Sequence, residues 1–379
     1  MVSTGTGRDG HQRRDGAGDG AAARTTRPQA GARRELCTSA RCTAHAALPG
    51  GHDRGMPARS PLLFTRAAVV ADLGRAGLEA ALALGSLLRV RPGRYANARE
   101  WQATYVEERQ RQLFTAARED AEVEPIAANI TAAAAHALPL FRVRDERIHT
   151  VNVDGRAASS TSRCFRHDDA CDPADIVRLD GRLTTSLSRT VFDVIRTQPA
   201  ETAIAVIDAA LRQVAVDGSG RVRDIEAAER LREDIRRHVD AGAGARGIVQ
   251  ARRMVDLGHP GADGPGESVS RLYLADLGFA PIEVQVRVAG PDGGEYSVDL
   301  GFAGVLAEFD GETKYRDPLL LRGRTAEQAV IDEKRREDWI RATMRRPFLR
   351  WGMADIATRG ALADRLRAFH VFPRRTPIR

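Results

Sequence analysis

The spacing of apolar residues divides the 379-residue chain into a leader, a small N-terminal domain, a middle region and a C-terminal domain. Residues 1–60 are rich in glycine, alanine, arginine, serine and threonine and show no apolar periodicity. Such a segment buries too little apolar surface to offset the conformational entropy that is lost on folding. We therefore expect residues 1–60 to be a disordered leader.

Residues 61–99 have the pattern of two short helices followed by a hairpin. The stretches LFTRAAVVADL and RAGLEAALALG repeat apolar residues at a spacing of three to four, which predicts helices. SLLRVRPGRYAN then alternates apolar residues with arginines, turns at Pro92-Gly93 and returns through Tyr95, which predicts a β-hairpin. Helix, helix, hairpin is the order of a winged-helix DNA-binding domain, and a small helical cap on the next domain is the alternative.

In the winged-helix interpretation, four arginines are the nucleic-acid-binding candidates: Arg75 in the second helix and, on or near the wing, Arg89, Arg91 and Arg94. One arginine in a recognition helix gives little base reading, so phosphate contacts are the main expectation. The predicted partner is DNA.

The next 150 residues predict a mixed α/β middle region, residues 100–250. Helical patterns alternate with short strand patterns such as IHTVNVD and DIVRLDGRLTTS, and two apolar-faced helices, LSRTVFDVIRTQ and ETAIAVIDAALRQ, follow. No residues in this region have catalytic spacing. Residues 251–264, which contain DLGHPGADGPGE, are predicted to be a linker because glycine and proline interrupt the pattern.

Residues 265–379 predict a second α/β domain. A helix over PGESVSRLYLADLGF is followed by the strands PIEVQVRV, YSVDLGF and VLAEFDG, the long helix AEQAVIDEKRREDWIRATM, the strand PFLRW and a closing helix. The predicted order is helix, three strands, helix, strand. The fold class expected for the chain is therefore α/β, or α+β overall.

Carboxylates concentrate around the central hairpin of this domain. Residues 266–317 hold ten acidic residues against four basic ones. Asp299 lies on the first arm of the hairpin, and Glu308 and Asp310, two residues apart, share one face of the second arm. Glu267, in the first turn of the preceding helix, is placed to approach the same edge.

Converging oxygen ligands without matching arginines describe a magnesium or manganese site, because these hard cations take carboxylates and water. The predicted metal ligands are Glu267, Asp299, Glu308 and Asp310. Lys314, about one turn after Asp310, is placed to reach an attacking water or a phosphate oxygen. The alternative is that these carboxylates are solvated strand ends and that Glu267 serves only the helix dipole.

Composition narrows the function classes. The formal net charge of +7 is concentrated in the leader, where ten arginines face five acids, so the remainder is close to neutral and a general basic surface does not support DNA binding. Only Lys314 and Lys334 are lysines among 58 lysine and arginine residues, and arginine does not replace lysine where a compact, deprotonatable amine is required. No apolar run has the length of a membrane span and no signal segment opens the chain, so we expect a cytoplasmic protein without membrane partners.

The cysteines suggest one further metal site. CFRHDDAC places His167 between Cys164 and Cys171, which are two of four cysteines in the chain. The gap of six residues does not fit the short spacing of zinc ligands and no second pair follows, so reduced thiols are the favoured interpretation.

Two segments resemble known families. The series GESVSRLYLADLGF, VQVRV, VDLGF, LAEFDGETKY, EKRREDWIRA and FLRW resembles the very-short-patch-repair-like endonuclease domains of actinobacterial proteins, within the PD-(D/E)xK superfamily. Upstream, LFTRAAVVADLGRAGLEAALALGSLLRVRPGRYAN resembles the winged-helix domain of AbiEi-type antitoxins from type IV toxin–antitoxin systems. Together the resemblances cover most of residues 61–372.

The nuclease resemblance implies a restriction-endonuclease-like fold in which Asp299 and Glu308 match the paired metal-binding acids and Glu267 the helix acid. Two departures stand out. The superfamily lysine lies two residues after the second acid, where this chain has Asp310, and many relatives carry histidine at the position of Lys314.

These features predict a Mg²⁺- or Mn²⁺-dependent DNA endonuclease with Asp299, Glu308 and Lys314 as catalytic residues. The rival hypothesis is a non-enzymatic, antitoxin-like transcriptional regulator with a degenerate nuclease fold. A third hypothesis is a protein that binds a cognate toxin.

Overall fold

A computed structural model describes residues 62–153, 159–169, 171–218, 220–310 and 325–373. The predicted leader, residues 1–60, and the predicted catalytic residue Lys314 lie outside the described residues. Where the chain is described, it is a mixture of helices and three β-sheets, which confirms the α/β class expected from the sequence.

The helices are α1 (Arg66–Ala83), α2 (Ala98–Ala103), α3 (Val106–Glu119), α4 (Asn129–Ala135), α5 (Leu187–Thr197), α6 (Ala200–Ala215), α7 (Ile225–Ala241), α8 (Ile248–Leu257), α9 (Pro265–Asp276), α10 (Ala326–Met344) and α11 (Arg359–Ala368). The strands are β1 (Phe64–Thr65), β2 (Leu87–Arg91), β3 (Arg94–Asn97), β4 (Ile126–Ala127), β5 (Ile148–Val151), β6 (Cys164–His167), β7 (Ile176–Leu179), β8 (Arg182–Thr185), β9 (Ile282–Ala289), β10 (Glu295–Phe302), β11 (Val305–Phe309) and β12 (Phe348–Trp351).

The N-terminal domain has the predicted order of helix, helix and hairpin. The two predicted helices form α1, which Gly74 divides with a backbone φ of 72° that L-residues rarely adopt. The Thr65 hydroxyl caps the first half by accepting from the Ala68 amide at 3.2 Å. Strands β2 and β3 form the hairpin, and β1 adds a third strand in the order β1-β3-β2.

The middle region contains a five-stranded sheet in the order β6-β5-β4-β8-β7, and helices α4 to α8 pack into one apolar core beside it. The predicted linker at residues 251–264 differs from the structure at its start, because residues 251–257 belong to α8. Ala251 and Met254 are fully buried there, since apolar residues at three-to-four spacing continue through this stretch.

The C-terminal domain follows the predicted order of α9, β9, β10, β11, α10 and β12. Its sheet has the order β12-β11-β10-β9, in which β11 and β12 are parallel and the other pairs antiparallel. The parallel pair requires a crossover connection, and the stretch that contains α10 supplies it. One face of the sheet packs against α9 and the other against α10.

A buried ion pair joins the middle region to the C-terminal domain. Arg271 of α9 donates from Nη2 to both carboxylate oxygens of Asp208 in α6, at 2.8 and 2.7 Å. The side chains of Arg271 and Asp208 are 7% and 1% exposed. Apolar residues of α6 and α9 belong to the same core cluster, so the two regions share a continuous interior.

Candidate functional site

The side chains of β9 and β10 change faces at the level of Gln285 and Asp299. Upstream of this point on β9, Ile282 and Val284 pack towards α9, whereas Val286 and Val288 pack towards α10. Gln285 adopts a left-handed backbone conformation with φ 52° in the middle of the strand, which interrupts the alternation of side chains.

The matching point on β10 is Asp299. Its neighbour Val298 packs on the α10 side and its other neighbour Leu300 on the α9 side. Asp299 and Glu308 lie directly beyond Leu300 and Ala307, the last pair of the antiparallel ladder. The Oδ2 atom of Asp299 accepts a hydrogen bond from the Phe309 amide at 2.9 Å. The predicted pair Asp299 and Glu308 is therefore placed at neighbouring positions of two strands.

Glu308 is buried, and both of its carboxylate oxygens are bonded to arginines. Arg336 of α10 donates from Nη2 to Oε1 at 2.6 Å, and Arg350 of β12 donates from Nη2 to Oε2 at 3.1 Å. Glu333 completes the cluster, since Arg336 donates from Nη1 to its Oε1 at 3.0 Å and Arg350 bonds to the same oxygen. We call these four residues, Glu308, Glu333, Arg336 and Arg350, the arginine–glutamate cluster.

Charge compensation in this cluster is visible in the pKa values of its arginines. Burial alone would lower the pKa of Arg336, but the hydrogen bond and the charge of Glu308 outweigh burial and raise it. Burial would likewise lower the pKa of Arg350, but the charges of Glu308 and Glu333 outweigh burial and raise it. The expectation that these carboxylates converge without matching arginines is wrong for Glu308.

Glu267 and Asp310 approach the same region from other elements. Gly266 lets the first turn of α9 pack against β11, because a Cβ atom there would lie 2.1 Å from the ring of Phe309. Next to it, Glu267 accepts through Oε2 from the Asp263 amide at 3.0 Å and from the side chain of Gln285 at 3.4 Å. Asp310 follows the end of β11, half-buried, and its amide donates to the Trp351 carbonyl at 2.8 Å.

A metal ion in this region would need several of these carboxylates as ligands. Among the residues that the structure describes, no three histidine, cysteine, aspartate or glutamate side chains are grouped closely enough to hold a metal ion. This finding covers the predicted set Glu267, Asp299, Glu308 and Asp310 and also the Cys164, His167 and Cys171 alternative. Glu308 would have to exchange two arginine hydrogen bonds for a metal bond, so the described contacts fit an ion-pair role better than a ligand role.

The four arginines that were predicted to bind nucleic acid fall into two groups. Arg94 is tied to the end of α3, since its Nη2 atom lies 2.9 Å from Glu119 Oε2 and 2.8 Å from Asp120 Oδ1. The hydrogen bond and charge of Asp120 raise the pKa of Arg94 against the opposing effect of burial. Arg91 is half-buried at the junction with the middle region.

Arg75 and Arg89 are exposed, and neither forms an ion pair with the residues described by the structure. These two are the exposed members of the four arginines that were predicted to bind nucleic acid. Arg94 is engaged within the fold.

Sequence reasoning missed Arg336 and Arg350. Both carried a signal that was available: Arg336 lies three residues after Glu333 on one helix face, and Arg350 occupies a polar position within the apolar strand PFLRW. A charged residue in a strand that is otherwise buried needs a partner of opposite charge.

Comparisons with known proteins add little to this geometry. No family model and no solved structure matches the chain. Two proteins from two strains of Mycobacterium tuberculosis, each described as an uncharacterized protein, are 29% identical to it over 178 residues. The match covers 43% of this chain and 60% of each relative, so the chain spans less than two-thirds of the length of these bacterial relatives.

Among the described helices, none combines the length and the apolar character that a transmembrane segment requires.

Proposed function

We propose that this chain is a DNA-binding protein of the regulator type, in which the winged helix binds DNA and the C-terminal domain does not hydrolyse it. The observation that carries the non-catalytic part is the pairing of Glu308 with Arg336 and Arg350. Arginines already compensate the negative charge on both oxygens of this carboxylate, so a metal ion would have to displace them in order to bind. The binding part is supported by the helix, helix, hairpin order and by the exposure of Arg75 and Arg89.

DNA binding through exposed arginines is dominated by phosphate neutralisation and therefore depends on salt. The test is fluorescence anisotropy of a labelled random-sequence duplex, titrated with the protein at several salt concentrations. We expect binding at low salt. The plot of log affinity against log salt has a negative slope, and we expect its magnitude to be smaller by about two in the Arg75→Ala/Arg89→Ala variant.

The matched control is Arg246→Ala/Arg252→Ala. These two arginines are exposed, form no ion pair with the described residues and lie at and near α8, in the middle region. The control removes the same charge and should leave the slope unchanged. Absence of binding at low salt, or an equal loss in both double variants, contradicts the proposal.

The second candidate function is the Mg²⁺- or Mn²⁺-dependent DNA endonuclease. It is favoured by the position of Asp299 and Glu308, which lie directly beyond the last pair of the β10–β11 ladder, Leu300 and Ala307. In this candidate, Glu267, Asp299, Glu308 and Asp310 would hold the ion, which would polarise a phosphate and activate water. Glu308 would first have to leave its arginine partners. Metal-dependent nicking of a plasmid that is lost in Asp299→Ala would favour this candidate over the regulator.

A further inference from the structure

A cleft lies between the wing and the middle region. It has a volume of about 530 Å³, and its lining includes three apolar residues, Val90, Trp101 and Leu113. The rest of the lining is polar and consists of four arginines, two acids and a serine, namely Arg91, Arg144, Arg147, Arg163, Asp145, Glu146 and Ser162. The volume is in the range of small-ligand sites with an apolar body and a few charged groups.

The acids of this cleft are already paired. Asp145 accepts hydrogen bonds from the Arg147 side chain, the shortest at 2.6 Å, and lies 3.3 Å from His149 Nε2. Burial would raise the pKa of Asp145, but the hydrogen bonds from Arg147 and the charge of His149 lower it to about 2. Glu146 is 70% exposed and lies 3.4 Å from Arg109.

The remaining three arginines are not compensated in this way. The side chains of Arg91, Arg144 and Arg163 form no hydrogen bond or ion pair with the residues described by the structure. The Nε atom of Arg91 is buried without a hydrogen-bond partner. Burial of a cation is costly unless an anion or a hydrogen bond compensates it.

Electrostatics around Arg91 agree with this geometry. Burial lowers its pKa; the charge of Asp120 opposes this shift, and the charges of Arg163 and Arg94 add to it. Like charges that face one cavity repel, and a bound anion would offset this repulsion.

We infer that this cleft binds a phosphate group, with Arg91, Arg144 and Arg163 as its ligands. Guanidinium groups match phosphate oxygens in geometry and stay charged at every physiological pH. The inference rests on the proposed function for the source of the phosphate, which is the DNA backbone beyond the wing. Arg89, which is exposed, and Arg91, which lines the cleft, are two residues apart on β2, so a DNA strand bound at Arg89 would be close to the cleft. A free nucleotide or inorganic phosphate is the other source of the same chemistry.

The test removes the two exposed ligands. In the Arg144→Ala/Arg163→Ala variant, the magnitude of the salt slope of duplex binding should be smaller by about two, because two phosphate contacts are lost. Both residues are exposed, so the variant should fold, and its far-ultraviolet circular dichroism should match the wild type. Arg246→Ala/Arg252→Ala is again the matched control.

The outcomes separate this inference from the proposed function. If the wild type binds DNA and the double variant keeps its salt slope, the inference is wrong while the proposed function stands. If the wild type does not bind DNA, the proposed function fails, and a thermal-shift measurement with pyrophosphate then tests whether the cleft binds phosphate. A rise in Tm with pyrophosphate that is present in the wild type and absent in the variant then supports a site for free phosphate. No rise in either protein overturns the inference.

Discussion

Arg336 of helix α10 donates from Nη2 to Glu308 Oε1 at 2.6 Å and, from the same atom, to the carbonyl of Ser297 at 2.6 Å. One guanidinium group therefore connects the long polar helix to two adjacent strands of the C-terminal sheet. The side-chain hydrogen bonds of Glu308 go to this arginine and to Arg350, so removal of the glutamate would leave two partly buried cations to share Glu333.

Glu308→Ala should destabilise the protein by about 2 to 4 kcal/mol, since both arginines would lose a carboxylate partner while they remain partly buried. Urea unfolding followed by circular dichroism measures this change. Glu295→Ala is the control, because Glu295 and Arg287 form an exposed pair at 3.3 Å that should contribute less than about 1 kcal/mol. If Glu308→Ala instead stabilises the protein, as removal of a carboxylate from a repulsive metal site does, the ion-pair interpretation is wrong.

The pair between Asp208 and Arg271 should be a major connection between the middle region and the C-terminal domain. Arg271→Ala should cost about 3 to 5 kcal/mol, because Asp208 is 1% exposed and would lose the arginine that bonds to both of its carboxylate oxygens. Asp208→Ala/Arg271→Ala should cost clearly less than the sum of the two single variants. Additive losses in thermal unfolding would show that the two residues act independently.

Arg94 should contribute to the fold and not to DNA binding. Its partners Glu119 and Asp120 are 55% and 46% exposed, so Arg94→Ala should cost less than about 1 kcal/mol. In the anisotropy assay, the salt slope of Arg94→Ala should equal that of the wild type, whereas Arg89→Ala should reduce the magnitude of the slope by about one. Equal reductions in both variants would place Arg94 at the DNA despite its ion pairs.

Stability should fall in mild acid because of His167. Burial, together with the charge of His149, lowers the pKa of His167 from 6.5 to about 4, and His167 Nε2 lies 3.0 Å from His149 Nδ1. Between pH 6.5 and pH 4 the unfolded chain binds a proton that the folded protein excludes. The stabilising effect of neutral His167 is therefore complete above pH 6.5 and is lost as the pH falls towards 4.

His167→Gln should reduce the loss of stability between pH 7 and pH 5 by about 1 to 2 kcal/mol. Urea midpoints at the two pH values measure it, and His370→Gln, at an exposed position, controls for the loss of a titratable group. The same pH dependence in His167→Gln and in the wild type would exclude His167 as the source.

The order of elements was predictable because it depends on local patterns. The kink in α1 follows from glycine at position 74, and the β2–β3 turn from Pro92-Gly93, which the sequence displays directly. The predicted order of the C-terminal domain also agrees with the structure, since each strand and helix has the apolar period of its own type.

The faces of the C-terminal strands were not predictable in the same way. VQVRV alternates regularly, which places Val284, Val286 and Val288 on one face, yet the structure packs Val284 towards α9 and the other two towards α10. The left-handed conformation of Gln285 causes this change, and glutamine carries no sequence signal for it. Because face assignment decides which carboxylates converge, the candidate site was less predictable than the fold.

The contacts of Glu308 show the same limit. Its partners lie 28 and 42 residues later in the chain, so no local pattern connects them. The sequence identified the acids correctly as an unusual concentration of charge, but their compensation by arginine depends on how α10 and β12 pack on the sheet.

We propose that the chain binds DNA without cutting it. The most direct test incubates a labelled duplex with the protein and Mn²⁺ and divides each sample between a native and a denaturing gel. We expect a shifted complex on the native gel and, on the denaturing gel, DNA as intact as that incubated with Asp299→Ala. Cleavage products with the wild type that require metal and disappear in Asp299→Ala would contradict this proposal and establish the nuclease.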